Sequence, residues 1–300
     1  MKTVVVLGDL NLDIILWGMR AYPAMGKEIL ADGHVRKSGG SAANVAFVLA
    51  ANGCPTKLFA QVGDDDNGRY LLDSARGCGL DSDTISCAVG GHTGVTISLT
   101  YPDDRMFITD LGTIASTKLE DLEDGYLLEG AHLHLASYYL QKGLQPAVGS
   151  LLKDARQAGM STSLDPGGDP SGQWDISRLL PHLQYIDWFM PSADELQAMT
   201  GTDDVEQAIA ALPPEAGGVL VKAGPRGAMT RYRGTIEHHP GLRVEAVDTT
   251  CAGDCFDAGF LCALADGRPL SEAVRAGNRF GAEAVSCVGL PRHKIERKTT

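Results

Sequence analysis

The stretch DTTCAGDCFDAGF, residues 248–260, sets a carboxylate and a thiol at the point where a helix begins. Phe256, Phe260, Ala263 and Leu264 recur at helical spacing, which puts Asp254 in the first turn. The first N–H groups of a helix have no partner within it, and the macrodipole adds positive potential at that end. Small Ala252 and Gly253 would let an anion approach this backbone, so the turn reads as a phosphate site. A carboxylate beside it would repel a phosphate, but it could accept a proton from an attacking hydroxyl. A plain helix-capping role for Asp254 explains the same residues, and this stretch alone leaves both readings open.

Composition narrows the setting. The 300 residues are 44% hydrophobic and 21% charged, as expected of one enzyme-sized domain. Acids outnumber bases 38 to 26, giving a formal charge of −12, and no basic stripe invites nucleic acid. Apolar runs such as 3–7 and 259–265 are too short to cross a membrane, and no export signal stands out. The seven cysteines (54, 78, 87, 251, 255, 262 and 287) include no CxxC pair, so neither a disulfide framework nor a structural zinc is expected. A cytoplasmic location fits this usage.

Short β-branched runs alternate with helical patterns. TVVVLG (3–8) leads to a small-residue helix (41–53), then TKLFAQVG (56–63) and a helix over 68–79. The rhythm resumes after 118 with strands at 132–137, 160–165, 186–192 and 218–224, helices around 144–158, 193–200 and 203–212, and two final helices at 252–266 and 270–287. This alternation predicts an α/β fold with a mainly parallel sheet wrapped by helices. Two segments break it, at 14–38 and 93–113. The second reads as an antiparallel hairpin around a PDD turn, so a small β-lid over one sheet edge is expected within a single domain covering 1–300.

A second glycine motif, SGGSAANVA (38–46), is neither GxGxxG nor GxxxxGK[ST], which argues against a dinucleotide fold or a Walker-type site. Gly39 and Gly40 would bring backbone close to a small polar ligand, with Asn44 offering an amide. Tight helix-on-sheet packing is the competing reading.

GGSAAN together with DTTCAGD resembles the paired signatures of the ribokinase-like (PfkB) family of carbohydrate kinases. GDLNLD (8–13), QVGDDDNG (61–68), DDRMF (103–107) and VKAGPRGA (221–228) resemble further family segments in the same order. The resemblance implies a three-layer α/β/α sandwich with a β-lid, and ATP-dependent, magnesium-requiring phosphorylation of a hydroxymethyl group on a small sugar. A nucleoside kinase on the same scaffold is the nearest alternative, with Trp17, Tyr22 and Phe107 as the residues to supply a base slot. A non-catalytic sugar-binding regulator is a further one.

Carried onto this sequence, the family's roles make Asp254 the catalytic base and assign the N–H groups of Cys251, Ala252 and Gly253 to an anion hole. Asn11, Asp13, Gly39, Gly40 and Asn44 would bind the sugar. Lys222, Gly224 and Gly227 would border the nucleotide phosphates, and Asn278 would lie beside the adenine. Glu195 would order magnesium through water, while Asp248, Thr250 and Gly289 would hold a monovalent cation, potassium. A homodimer through the lid is a further family expectation.

The chain departs from the pattern in three places. Cys251 replaces the usual first glycine of GAGD, Ser192 replaces the Asn of NxxE, and Ala136 stands where some sugar kinases carry a glutamate. The amides around Cys251 would favour its thiolate, so an alkylation-sensitive thiol protected by nucleotide is expected, with an inert buried thiol as the alternative. His132 and His134 share a strand face and are read as packing rather than metal ligands. His238 and His239 are expected in a surface loop, and the acids Asp64–Asp66 in a turn with a substrate-side or lid-side role as the second reading.

Overall fold

Strand β1 (Val4–Leu7) divides its side chains between two cores, Val4 and Val6 in one and Val5 and Leu7 in the other. A strand buried on both faces belongs inside a sandwich, which is why VVVL has no polar alternation. The computed structural model describes residues 1–101, 104–122, 130–286 and 289–290, and element numbers run along these.

β1 pairs in parallel with β4 (Thr56–Gly63) and β8 (His132–Leu135). Outward from β8 come β9 (Ser161–Leu164), β10 (Trp188–Phe189) and β11 (Gly218–Lys222), all parallel, while β5 (Ile85–Ala88) borders β4. On one face α1 (Ser41–Ala51), α2 (Asp66–Gly77), α7 (Ala252–Ala265) and α8 (Leu270–Val285) cover the first core; on the other lie α4 (Gln145–Gln157), α5 (Ala193–Thr200) and α6 (Val205–Ala211). A short α3 (Thr113–Ser116) leads back toward the main sheet. The mainly parallel sheet wrapped by helices that the alternation predicts is present, as is the three-layer sandwich that the resemblance implies, and β4 coincides with its expected span.

Strands β12 (Ala228–Tyr232) and β13 (Thr235–His239) extend the main sheet as an antiparallel hairpin. This corrects the surface-loop expectation for His238 and His239. Arg233 and Gly234 both have positive φ, at 52° and 81°, giving the kind of two-residue turn that matches strand twist. Thr230 Oγ1 meets His239 Nε2 at 3.0 Å across the hairpin.

A second sheet runs in the order β3 (Gly33–Gly39), β2 (Asn11–Trp17), β6 (Val95–Thr100), β7 (Arg105–Asp110). It includes the expected hairpin, and β2 begins at Asn11 rather than at 14. Pro102 and Asp103 of the hairpin turn, and Cys287, lie outside the described residues. Asp65 joins the two parts of the molecule. It caps α2 by accepting from Gly68 N at 2.7 Å and also accepts from the N–H and hydroxyl of Thr93, at 2.8 and 2.7 Å, just ahead of β6.

His132 and His134 both hydrogen-bond Ser163 Oγ at 2.7 Å inside the sheet, and burial holds their pKa values down to about 3 and about 4. They are neutral packing groups. Among the described residues no group of three or more His, Cys, Asp or Glu could hold a metal ion, and no helix is long and apolar enough to cross a membrane.

Candidate active site

Two helices on the same face of the main sheet, α1 and α7, bring their N-termini together. Gly40 precedes α1 with φ 99°, and a side chain there would strike the carbonyl of Asp9, so the turn requires glycine. Asp9 takes the place of a capping side chain: its carboxylate accepts from the N–H groups of Ser41 (3.1 Å) and Ala42 (3.0 Å). The first turn of α1 is thereby fixed against the end of β1.

From that turn, Ser41 Oγ donates to Asp254 Oδ1 at 2.7 Å, and Asn44 Nδ2 donates to Asp254 Oδ2 at 2.8 Å. Burial pushes the Asp254 carboxyl up to about 7, against the pull of those two bonds toward the ionised form. Asn44 Oδ1 is buried with no hydrogen-bond partner among the described residues, an unsatisfied acceptor.

Helix α7 starts from Cys251, which has left-handed backbone at φ 60°. That conformation explains why glycine is the easier residue at this position. The thiol packs inward, accepting from Asn44 Nδ2 at 3.3 Å. Burial, reinforced by the charges of Asp254, Asp13 and Asp248, pushes it well above the ordinary thiol range. The expected thiolate is therefore not favoured: desolvation and neighbouring carboxylates outweigh the helix N-terminus.

On the side of the small sheet, Asn11 Nδ2 donates to Asp13 Oδ1 at 2.9 Å and to Thr96 Oγ1 at 3.1 Å. Burial, with a smaller contribution from Asp9, lifts the Asp13 carboxyl to about 6. Gly39 lies directly against that carboxylate, where any side chain would collide. Asn11, Asp13, Gly39, Gly40 and Asn44 thus lie together on the side of Asp254 that adjoins the small sheet.

On the opposite side, Lys222 at the end of β11 lies close to Gly253. Its Nζ donates to Asp165 Oδ2 at 2.7 Å and Asp257 Oδ2 at 3.0 Å. Burial alone would discharge the ammonium, but Asp165, Asp257 and Glu195 outweigh it and keep it protonated. Burial raises the Asp257 carboxyl well above the ordinary carboxylate range, whereas at Asp165 burial is outweighed by the Lys222 charge together with hydrogen bonds, which hold it below that range. Glu195 and Ser192 cap α5 reciprocally, and burial together with the Asp165 charge raises the Glu195 carboxyl.

The remaining sequence-predicted residues line the neighbouring loops. Gly224 and Gly227 shape the turn between β11 and β12, where a side chain on Gly227 (φ 93°) would meet the backbone of His239 and Gly241. Asn278 donates to the carbonyls of His239 (3.4 Å) and Pro240 (3.2 Å), bracing the end of β13. Asp248 accepts from Thr250 N and Gly289 N, both at 2.9 Å, and so joins the two loops. Trp17, Tyr22 and Phe107 have separate partners: Gly33, Tyr101 and the Arg105 guanidinium.

Sequence reasoning missed Ser41, Asp9, Asp165 and Asp257 as site residues. Ser41 and Asp9 lay inside quoted motifs, and Asp257 stands one helical turn after Asp254. Asp165 gave no signal beyond its place at a strand end.

This chain is 29% identical over 283 residues to the ATP-dependent ribose-1-phosphate kinase of Halopiger xanaduensis, covering 94% of this chain and 91% of that one. It is 30% identical over 251 residues to the fructokinase of Klebsiella pneumoniae, covering 79% and 81%. The structure of Arabidopsis thaliana ribokinase complexed with ribose and ATP superposes with a TM-score of 0.82 at 26% identity, over 98% of this chain and 96% of that one. The sequence pattern described as pfkB family carbohydrate kinase matches residues 1–294, and the chain belongs to that family.

Proposed function

We propose that this carbohydrate kinase transfers the γ-phosphoryl group of ATP to a hydroxymethyl oxygen of a small sugar, with Asp254 as the base. The carrying observation is the Asp254 carboxyl, held at about 7 between Ser41, Asn44 and the start of α7. A base acting near neutrality needs a pKa in that range.

The acceptor would lie among Asn11, Asp13, Gly40 and Asn44, using the open Oδ1 of Asn44 to fix a hydroxyl. Asp254 would take the proton of the attacking hydroxyl as its oxygen approaches phosphorus in line. Charge gathering on the transferring group would meet the N–H groups of Cys251, Ala252 and Gly253, with the ammonium of Lys222 behind Gly253 adding positive potential. Gly224, Gly227 and Asn278 would border the rest of the nucleotide. The small sheet would close as a lid and exclude water.

Magnesium suits this donor set. It is held mainly by nucleotide phosphates and water, so one buried carboxylate, Glu195, suffices at the protein end where no three-ligand cluster exists among the described residues. Bound with ATP, it would shield phosphate charge. A monovalent cation at Asp248, Thr250 and Gly289 would brace the loop before the anion hole. The exposed Met106 and Ile108, on the face of β7 opposite Arg105, support the lid as a homodimer surface, which light scattering would test.

The reading is tested by magnesium-dependent ADP release over a panel of sugars and nucleosides. Release with sugars supports it, and release with nucleosides alone would replace it with the nucleoside-kinase alternative.

A further inference from the structure

One face of the small sheet carries more than the sugar-binding groups. Asp13 is the direct cross-strand neighbour of Lys37 on β3 and of Thr96 on β6, and Thr96 is opposite Thr109 on β7. Directly opposed residues share a face, and so do residues an even number apart along a strand. Thr100, four residues after Thr96, is opposite Arg105, which puts Arg105 on the same face as Asp13 and Lys37.

Both cations reach toward the loops before and behind the anion hole. Arg105 Nη1 donates to Thr249 Oγ1 at 2.6 Å and Thr250 Oγ1 at 3.3 Å, and the Lys37 ammonium packs against Gly289. Among the described residues neither Lys37 nor Arg105 forms an ion pair. Lys37 does not neutralise Asp13 although their backbones are paired, and Arg105 contacts hydroxyls and the ring of Phe107, with the Asp248 carboxylate close enough to feel its charge.

In a chain of net charge −12, two cations on the inner face of the acceptor site that form no ion pair among the described residues need a reason. A neutral sugar has no use for them. The phosphates of ATP are served from the other side of Asp254, by the start of α7 and Lys222, whereas Lys37 adjoins Asp13 and Gly39. We infer that the acceptor carries an anionic substituent, a phosphate ester or a carboxylate, which Lys37 and Arg105 clamp from opposite edges of the small sheet while Asp254 faces the reacting hydroxyl. This inference rests on the kinase reading above and names the substrate class within it.

The test is kcat/KM from ADP release for matched sets of acceptors: neutral pentoses and hexoses, their 1-phosphates and 6-phosphates, and the corresponding sugar acids. The expected result is a preference of about 100-fold or more for one charged set over its neutral parents, since each charge-assisted contact is worth roughly a factor of ten or more. The phosphate and acid arms distinguish which anion is held. Lys37→Met and Arg105→Gln, checked for unaltered melting, should each reduce that preference at least tenfold by raising KM for the acceptor, and Lys37→Arg should restore much of it. Equal or better turnover of neutral sugars would overturn the inference while leaving the kinase reading intact. A rise confined to KM for ATP in either variant would overturn it too, assigning that cation to the donor. ADP release with no acceptor on the panel would overturn both readings.

Discussion

Asn44 and Asp254, 210 residues apart in sequence, meet at 2.8 Å through Nδ2 and Oδ2, and the same amide nitrogen reaches Cys251 Sγ at 3.3 Å. The contact defines the orientation of three groups together. It fixes the carboxylate at the start of α7, packs the thiol inward, and leaves the amide oxygen buried with no partner among the described residues. The two halves of the chain therefore make one site through their helix N-termini.

Removing the base gives the first prediction. Asp254→Asn should lower kcat by about 10²–10⁴-fold, the usual contribution of a positioned general base, with ATP affinity largely retained. Single-turnover phosphoryl transfer and nucleotide binding by calorimetry check the two halves of this statement; unchanged turnover would remove Asp254 from the mechanism.

The pH dependence follows with opposite signs for activity and stability. A base works ionised, so turnover should fall as pH drops through about 7. Because the Asn44 bond favours the ionised form, Asn44→Ala should move that limb to higher pH. For stability, the folded carboxyl lies above its ordinary 3.8, so ionisation costs folding free energy that grows from about pH 4 to about 7 and then levels. Asp254→Asn should therefore melt higher than the parent at pH 8, by on the order of a few degrees, and the gap should close toward pH 4. Thermal melts at the two pH values decide it.

Cys251 yields a prediction contrary to the thiolate expected from its position. With its thiol pushed up by burial and nearby carboxylates, it should react with iodoacetamide more slowly at pH 8 than exposed Cys87. Peptide mapping by mass spectrometry measures this directly. Cys251→Gly relieves a left-handed residue, a gain of about 1–2 kcal/mol, and loses the Asn44 contact and some chain stiffness. The two effects oppose, so stability should stay within about 1 kcal/mol of the parent and turnover should persist.

Asp65 should show the ordinary carboxylate behaviour. Although burial opposes it, bonds from Thr93 and Gly68 hold its pKa below the usual value, so its stabilisation is present above about pH 4 and lost as pH falls below that. Asp65→Ala removes a helix cap worth about 0.5–2 kcal/mol and the tie to the small sheet. It should lower the melting temperature at neutral pH with little difference under acid conditions.

How much of this was legible in the sequence depends on range. The motifs at 38–46 and 248–260 announced themselves because close approach of a ligand to a helix start needs small residues, and TKLFAQVG read as a strand because burial on both faces leaves Gln61 as the one polar side chain after Lys57. The hairpin over 228–239 was missed because Arg233-Gly234 is a less obvious turn than Asn-Gly and its strands are partly polar. Ser41 was visible but had no evident partner until α1 and α7 were brought together. The thiolate reading of Cys251 came from its helix end, and what reverses it is burial, reinforced by carboxylates from residues 254, 13 and 248 that only the fold brings near.

Lys222 and Asp257 test the charge cluster behind the anion hole. The ammonium holds two buried carboxyls, and removing one member of a buried pair usually costs about 3–5 kcal/mol because a charge is left without compensation. Lys222→Met should therefore unfold at a markedly lower temperature and weaken ATP binding. Burial raises the Asp257 carboxyl well above the ordinary carboxylate range and so favours its neutral form, which Asp257→Asn reproduces with a neutral group of nearly the same shape. It should fold with a melting temperature close to that of the parent. Asp257→Ile removes the acceptor that Lys222 meets at 3.0 Å and leaves the ammonium to Asp165, so it should fall between the two. If Asp257→Asn destabilised the fold as much as Lys222→Met, Asp257 would have to be ionised and the proton assignment within the cluster would be wrong.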